Sequence, residues 1–330
     1  MSIRLGFRDA HPNHAVVHPG RRYWDAVDLP AFGAQGRIYR AQRRRSFRRP
    51  RVAFVLTGGG TLGAVQVGML RALVERGVRA DVVLGSSVGA LNAAAFAQDP
   101  SAHGVDVLER AWRTAKDKLM LNRGRLWSLM QLATKRDAVY EENTLGTLID
   151  CFLSYHRIEE AALPCAVMVS ALSGHPERCF WSGPARDLLL ASSALPGIFP
   201  PVTIDGERFI DGGVINNMPV NHAVAAGATL IYVLLCGPRM AETEVFGPRP
   251  VDHILGAFAL ARKARALQDL DRLPPHVEAM VLPGPEAPKL YYVDLSHTDA
   301  LIERGYEVAH AFLDAASESA AGERLSELAL

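Results

Sequence analysis

Two short apolar runs, each closed by a glycine-containing turn and followed by helical periodicity, constrain the fold of this chain more than any other feature. The first run is "VAFVLT" at 52–57; three glycines follow it, and apolar residues then recur at helical spacing in "AVQVGMLRALVERG". The second run, "DVVLGS", is followed by the helix-forming stretch "GALNAAAFA". This repeated order of strand, turn and helix predicts an α/β fold with a parallel sheet.

The rest of the chain continues the α/β pattern. We predict strands at "CAVMVSAL", "ERCFW", "ERFIDGG" and "TLIYVLL", and helices at "ARDLLLASSALPGIFPP", "PVNHAVAAG", "VDHILGAFALARKARALQDL" and "ALIERGYEVAHAFLDAA". From Val105 to Phe152 the charged and apolar positions alternate at helical spacing without clear strands, which predicts a helical insertion. The apolar side of this insertion consists of Trp112, Leu119, Leu126, Trp127, Leu129 and Met130.

Composition excludes several classes of protein. The chain has 330 residues, 49% of them apolar and 22% charged, and no apolar run approaches the length of a membrane span. Charges and histidines interrupt the N-terminus where a signal peptide needs an apolar core, so we expect an intracellular, cytoplasmic protein. The four cysteines have no C-x-x-C or metal-ligand spacing, which fits reduced thiols and gives no indication of a metal site.

A block of basic residues precedes the first strand. Arg37 to Arg51 contains eight arginines and no acid, whereas the rest of the chain has 28 Lys and Arg against 35 Asp and Glu. Such a block is typical of a solvated arm, of peripheral contact with an anionic membrane, or of docking on an acidic surface. Only Tyr39 and Phe47 are interleaved with the arginines, too few aromatics for stacking on bases, so we expect no nucleic acid partner.

The turn "LGSSVGALNAA" places Ser87 between Gly85 and Gly89. The G-x-S-x-G pattern between a strand and a helix is typical of a nucleophilic serine whose hydroxyl stands clear of both elements. A glycine-serine turn without catalytic function has the same local sequence, so this pattern alone leaves both interpretations open.

The glycine loop from Gly58 to Gly63 formally matches G-x-G-x-x-G. A dinucleotide site is disfavoured because a second serine turn occupies the place of the ribose-binding acid, and a P-loop would need Lys-Ser/Thr after the last glycine. Backbone N–H groups at a helix N-terminus bind anions, so the loop can instead serve as an oxyanion hole for acyl transfer. A tight turn with only a structural role is the alternative.

A serine nucleophile needs a base, and Asp211 is the leading candidate. It ends a predicted strand and is followed by Gly212 and Gly213, although an ordinary Asp-Gly turn has the same sequence. His222 and His297 both follow Asp211, which is also the Ser, Asp, His order of α/β-hydrolase triads. His222 falls within a predicted helix, where helix packing or solvation is the more common role, whereas His297 follows a predicted strand and stays open as a base.

Four segments of the sequence together resemble one family, the patatin-like phospholipases. "GGGTLGAVQVGML", "GSSVGALNAA", "ASSALPGIFPP" and "DGGVINNMPV" match the four blocks of that family in order, over roughly Arg51 to Leu235. The resemblance implies a three-layer α/β sandwich with a mostly parallel central sheet, a Ser-Asp dyad, no cofactor and no metal, and acyl esters of lipids as substrates. Carried across to this sequence, it implies Ser87 as nucleophile, Asp211 as base, an oxyanion hole of Gly58, Gly59, Gly60 and Thr61, and motif glycines at Gly63, Gly85, Gly89, Gly212 and Gly213.

The resemblance has one departure and two further matches. Many members of the family carry Arg or Lys two residues after the third glycine, where this chain has Leu62, so a preference for anionic head groups is not implied. Asn217 and Pro219 match the polar and proline positions after the acid.

These observations together predict a phospholipase A, a lysophospholipase or a related lipid esterase. We expect residues 1–48 to form a basic arm and residues 49–330 a single patatin-like domain, with the motifs in 51–235 and a C-terminal helical part at 250–330. We expect Leu126, Trp127, Leu129 and Met130 to pack in the core; the alternatives are that they line an acyl channel or contact lipid. The alternatives are a non-catalytic lipid-binding scaffold with the same fold and a Ser-His-Asp esterase. The sequence does not indicate an oligomeric state.

Overall fold

The computed structural model describes residues 24–28, 37–41, 51–121, 142–237, 250–285 and 295–328. The strands are β1 (Trp24–Asp28), β2 (Arg37–Ala41), β3 (Val52–Leu56), β4 (Val82–Ser86), β5 (Cys165–Ala171), β6 (Glu177–Phe180), β7 (Val202–Ile204), β8 (Glu207–Asp211), β9 (Leu230–Leu234) and β10 (Glu278–Leu282). The helices are α1 (Ala64–Glu75), α2 (Val88–Gln98), α3 (Ala102–Leu121), α4 (Glu142–Ile149), α5 (Ala185–Ser192), α6 (Val220–Ala225), α7 (Pro250–Asp271) and α8 (Thr298–Leu328).

All of these strands belong to one sheet whose centre is parallel. The order is β1-β2-β10-β9-β3-β4-β5-β8-β7, with β6 paired to β5, and the five strands from β10 to β5 run parallel. Every residue of β3, β4 and β5 is buried. Strands covered on both faces read as continuous apolar runs, which is why these three were recognisable in the sequence.

Helices cover both faces of the sheet, which makes the fold a three-layer α/β sandwich. Side chains alternate along β3, so Phe54 and Leu56 pack in a cluster with α1, α2 and α3. Ala53 and Val55 face the other way and pack with α6 and α7. The predicted fold class is confirmed.

The helical insertion predicted at Val105 to Phe152 corresponds to α3 and α4 in the described residues. Trp112 on α3 is buried and packs edge-to-face on Phe152, with ring centroids 5.7 Å apart. The positions considered as an acyl channel, Leu126, Trp127, Leu129 and Met130, lie outside the described residues.

The N-terminal segment contributes two strands at one edge of the sheet. β2 pairs antiparallel with β10, placing Ile38 opposite Met280, and β1 pairs antiparallel with β2. A solvated arm is therefore wrong for residues 37–41, because backbone pairing holds them in the sheet. Residues 42–50, which carry most of the arginines of the block, lie outside the described residues.

Two further features concern membrane-spanning helices and cysteines. Among the described helices, no segment combines the length and apolar character that a membrane span requires. Cys165 and Cys236 are buried, whereas Cys151 and Cys179 are partly exposed.

Candidate active site

Ser87 occupies the turn between β4 and α2 in a backbone conformation that is rare for a residue with a side chain. Its φ is 55° and its ψ is −131°. Strain of this kind persists only where the surroundings impose it, and it is concentrated at functional sites. The turn is also tight, because a Cβ on Gly89 would lie 2.2 Å from the carbonyl oxygen of Leu56. The G-x-S-x-G sequence thus forms a strained elbow that lifts the serine side chain above the sheet.

Strand pairing explains how Asp211 reaches Ser87 across 124 positions of sequence. β4 ends at Ser86 opposite Met168 of β5, and β8 ends at Asp211 opposite the next residue, Val169. Because β8 is antiparallel to β5, the carboxyl ends of β4 and β8 approach the same point from opposite directions. The Ser87 hydroxyl then donates a hydrogen bond of 2.6 Å to Oδ2 of Asp211.

Asp211 is held in an environment that suits a general base. Asp211 is buried, with only 3% of its surface exposed. Its second carboxylate oxygen, Oδ1, accepts a 2.7 Å hydrogen bond from the Gly213 N–H. Burial raises the pKa of Asp211 to about 6, against the lowering effects of the bonds from Ser87 and Gly213 and of the positive charge of Arg262. A carboxylate with such a pKa is largely ionised at neutral pH and is more basic than an exposed aspartate.

The glycine loop lies beside the serine, and its amides have different partners. The Gly58 N–H donates to Oδ1 of Asn217 at 3.1 Å, and Nδ2 of Asn217 donates back to the Gly58 carbonyl at 3.3 Å. The N–H groups of Gly59 and Gly60 have no hydrogen-bond partner within the described residues. Gly60 has a φ of +60°, at the start of the 3-10 turn Gly60–Gly63. The N–H groups of Gly59 and Gly60 are therefore open to an anion, whereas Gly58 anchors the loop. The role predicted for Thr61 stays a prediction.

Comparison with known proteins identifies the family of this chain. A sequence model described as patatin-like phospholipase matches residues 54–224, more than half of the chain and a range that contains the glycine loop, Ser87 and Asp211. The chain belongs to the patatin-like phospholipase family.

Among curated relatives, the chain is 30% identical over 196 residues to patatin-like phospholipase domain-containing protein 7 of Mus musculus, covering 59% of this chain and 14% of that protein. It is 30% identical over 243 residues to lysophospholipase nte1 of Aspergillus niger, covering 71% of this chain and 15% of that protein. This chain thus spans only a small part of the length of these relatives. Among solved structures, VipD from Legionella pneumophila matches with a TM-score of 0.45 and 15% identity, covering 89% of this chain and 70% of that one.

A buried polar chain behind the glycine loop fixes its position in this patatin-like domain. Nε1 of Trp112 donates to Oδ1 of Asn92 at 2.8 Å, and Nδ2 of Asn92 donates to the Gly63 carbonyl and to Oε1 of Gln66. Nε2 of Gln66 donates in turn to the carbonyl oxygens of Thr57 and Leu234. The sequence analysis did not single out Asn92 and Gln66. The signal was an Asn and a Gln at otherwise apolar positions of two predicted helices, since polar side chains are buried only where they find partners.

The backbone of the serine turn has a partner that the sequence also did not reveal. The Ser87 N–H donates to Oγ of Ser192 at 3.0 Å, at the end of α5. The neighbouring Ser193 is buried at the cavity wall, and its Oγ has no hydrogen-bond partner within the described residues. Block "ASSALPGIFPP" of the patatin-like pattern thus supports the serine turn from beneath.

His222 and His297, the two candidate histidine bases, lie outside the cavity that contains Ser87. Nε2 of His222 lies 2.8 Å from Oε1 of Glu177, and hydrogen bonds with Cys179 and Glu177 raise the pKa of His222 to about 9. His297 is exposed at the turn before α8. Neither histidine lines the cavity that contains Ser87 and Asp211. The geometry of this patatin-like site therefore pairs the serine with the aspartate directly.

Ser87, Asp211 and the glycine loop open into one cavity of about 440 Å³. Volumes of this order are usual for sites that enclose a small molecule. The wall is mostly apolar, and the described part of the helical insertion contributes Trp112, Ala115, Leu145 and Phe152 to it. Leu195, Ile198 and Phe199 line it from the segment after α5. An apolar group bound here would be desolvated next to Ser87 and Asp211.

Proposed function

We propose that this patatin-like protein is a serine acyl hydrolase that cleaves acyl esters of lipids, as a phospholipase A, a lysophospholipase or a related esterase. The observation that carries the proposal is the 2.6 Å hydrogen bond from Ser87 Oγ to Asp211 Oδ2 inside an apolar cavity. Lipid esters fit such a cavity because their acyl chains gain free energy on leaving water.

In the first half of the reaction, Asp211 accepts the hydroxyl proton while Oγ of Ser87 attacks the ester carbonyl carbon. The N–H groups of Gly59 and Gly60 donate to the resulting oxyanion; one such donor contributes about 3 kcal/mol to transition-state stabilisation in other hydrolases. Asp211 then donates its proton to the alcohol oxygen of the substrate as the carbon–oxygen bond breaks. The alcohol leaves, and the acyl group stays on Ser87.

In the second half, a water molecule takes the place of the alcohol. Asp211 removes a proton from this water, and the hydroxide oxygen attacks the acyl carbon. The oxyanion again meets the amides of Gly59 and Gly60, and Asp211 returns the proton to Oγ of Ser87 as the fatty acid leaves. The same carboxyl group therefore serves as base and acid in both halves.

Release of fatty acid tests the function directly. Purified protein should liberate fatty acid from monoacyl glycerol esters and glycerophospholipids at a rate that a chelator does not change. Acyl-thioesters and short soluble esters assayed in parallel define how broad the ester specificity is. If none of these esters is hydrolysed, the non-catalytic scaffold with the same fold replaces the hydrolase.

We also propose that the basic block brings the protein to anionic membranes. An arginine near an anionic surface contributes about 1 kcal/mol of attraction, which decays within a Debye length of about 8–10 Å. Replacing Arg43, Arg44 and Arg45 by glutamine leaves β2 intact and should weaken sedimentation with anionic vesicles about 100-fold at low salt. Turnover of a soluble ester should not change. Equal sedimentation of the two proteins, or binding that is insensitive to salt, would contradict membrane recruitment.

A further inference from the structure

Two cations enter the active-site cavity from the C-terminal part of the chain. Arg262 and Lys263 are consecutive on α7, are partly buried and line the same cavity as Ser87 and Asp211. Among the described residues of the cavity wall, Asp211 is the only carboxylate. The glycine loop contributes the apolar side chain of Leu62 to this wall, so the positive charge among the described wall residues comes from α7.

These cations differ from the third cation on the same stretch of helix. Arg265 is held by Asp269 at 2.7 Å and by Glu177 at 3.1 Å, away from the cavity. Within the described part of the chain, the side chains of Arg262 and Lys263 form no hydrogen bond and no ion pair. A cation that no carboxylate holds in an ion pair can form charge-assisted hydrogen bonds with an anionic ligand. Their charges are therefore available to a bound molecule.

The positive charge of Arg262 acts on the Ser87–Asp211 pair. Its guanidinium is close enough to the Ser87–Asp211 pair for its charge to favour the ionised form of Asp211. In a glycerophospholipid, only the glycerol carbons separate the scissile ester from the phosphate. The phosphate of an ester bound at Ser87 can therefore reach the wall of the same cavity, which Arg262 and Lys263 line.

We propose that Arg262 and Lys263 form an anion-binding subsite for the phosphate of a glycerophosphate ester. This assignment rests on the proposed function, since it names the substrate class of that same site. Arg262 offers a planar fork of N–H donors that matches phosphate oxygens, and Lys263 offers a compact charge beside it. The subsite selects acyl glycerol phosphates over neutral acyl glycerols of the same chain length.

Binding to an inactive protein tests the subsite without turnover. The probe is monoacylglycerol phosphate below its micellar concentration, and the Kd is measured by calorimetry in the Ser87→Ala background. Adding Lys263→Gln or Arg262→Gln should raise the Kd about tenfold each, equivalent to about 1.4 kcal/mol, because each substitution removes charge-assisted hydrogen bonds to the phosphate. Arg262→Lys and Lys263→Arg, which keep the charge, should lose less. Arg272→Gln, an exposed position just after α7, is the matched control and should bind as the parent does.

Kinetics with Ser87 intact distinguish this proposal from the proposed function. The ratio of kcat/KM for monoacylglycerol phosphate to that for neutral monoacylglycerol should fall about 100-fold in the doubly substituted protein. An unchanged Kd in the double variant would overturn the subsite, whether or not any ester is cleaved. Absence of hydrolysis by the unmodified protein, together with phosphate-dependent binding that requires both cations, would contradict the hydrolase and support the subsite.

Discussion

Ser87→Ala should lower kcat/KM for every hydrolysed ester by about 10⁴-fold or more, because removal of the nucleophile in serine hydrolases leaves only the effects of binding and the oxyanion hole. The variant should fold, since alanine keeps the Cβ and removes a single hydroxyl whose hydrogen-bond partner in the structure is Asp211. Fatty acid release and thermal unfolding, measured on the same preparation, separate loss of chemistry from loss of fold.

The matched control for this substitution is Ser182→Ala, an exposed serine outside the cavity. Its kcat/KM should equal that of the unmodified protein. Retention of more than a few per cent of activity in Ser87→Ala, with the fold intact, would place the nucleophile elsewhere.

Asp211→Asn should lower kcat/KM by about 10²–10⁴-fold, the range that general-base catalysis contributes. The amide has nearly the same shape, and its oxygen can still accept the N–H of Gly213, but it cannot take a proton from Ser87. In the unmodified protein, kcat/KM should rise with pH through about 6, the pKa of Asp211, because only the ionised carboxylate acts as base. The residual activity of Asp211→Asn should lack this dependence.

Stability provides an independent readout for Asp211. Its pKa is raised from 3.8 to about 6, so its contribution to the free energy of unfolding is fully present below pH 3.8 and is lost as the pH rises through 6. At pH 7.5 the buried carboxylate is ionised at a cost in stability. Asp211→Asn should therefore unfold at a temperature no lower than that of the unmodified protein at this pH. A lower unfolding temperature would mean that the carboxylate stabilises the fold.

Histidine substitutions distinguish the dyad from a triad. His297→Gln should keep nearly all activity, because His297 is exposed and does not line the cavity. His222→Gln disturbs the cluster around Glu177, so we expect a lower unfolding temperature and a much smaller loss of kcat/KM than in Asp211→Asn. If kcat/KM in either histidine variant fell as far as in Asp211→Asn, a Ser-His-Asp triad would replace the dyad.

The sequence was most informative where function depends on consecutive residues. Strand, glycine turn and helix around Ser87 and around the glycine loop follow from local patterns, because periodicity and turn chemistry act over a few positions. The antiparallel direction of β8 was not predictable in this way. An apolar run of strand length has no direction, and the approach of Asp211 to Ser87 depends on pairing with β5.

Contacts between distant segments could not be predicted from the sequence either, because local patterns do not show which segments meet in the fold. The spacing of the glycines does not show that Asn217, 159 positions away, accepts a hydrogen bond from the N–H of Gly58. Likewise, the missing cation at Leu62 was visible in the motif, but Arg262 and Lys263 belong to a late helix whose periodicity predicts no particular neighbour. Such residues come together only when the chain folds.

Covalent labelling tests the central claim, that Ser87 is an activated nucleophile, most directly. The unmodified protein is treated with an alkyl fluorophosphonate, digested and sequenced by mass spectrometry. We expect one phosphonylated peptide with the adduct on Ser87, a much slower reaction in Asp211→Asn, and no adduct in Ser87→Ala. An adduct on another residue, or an unlabelled Ser87 in protein that hydrolyses lipid esters, would contradict the account.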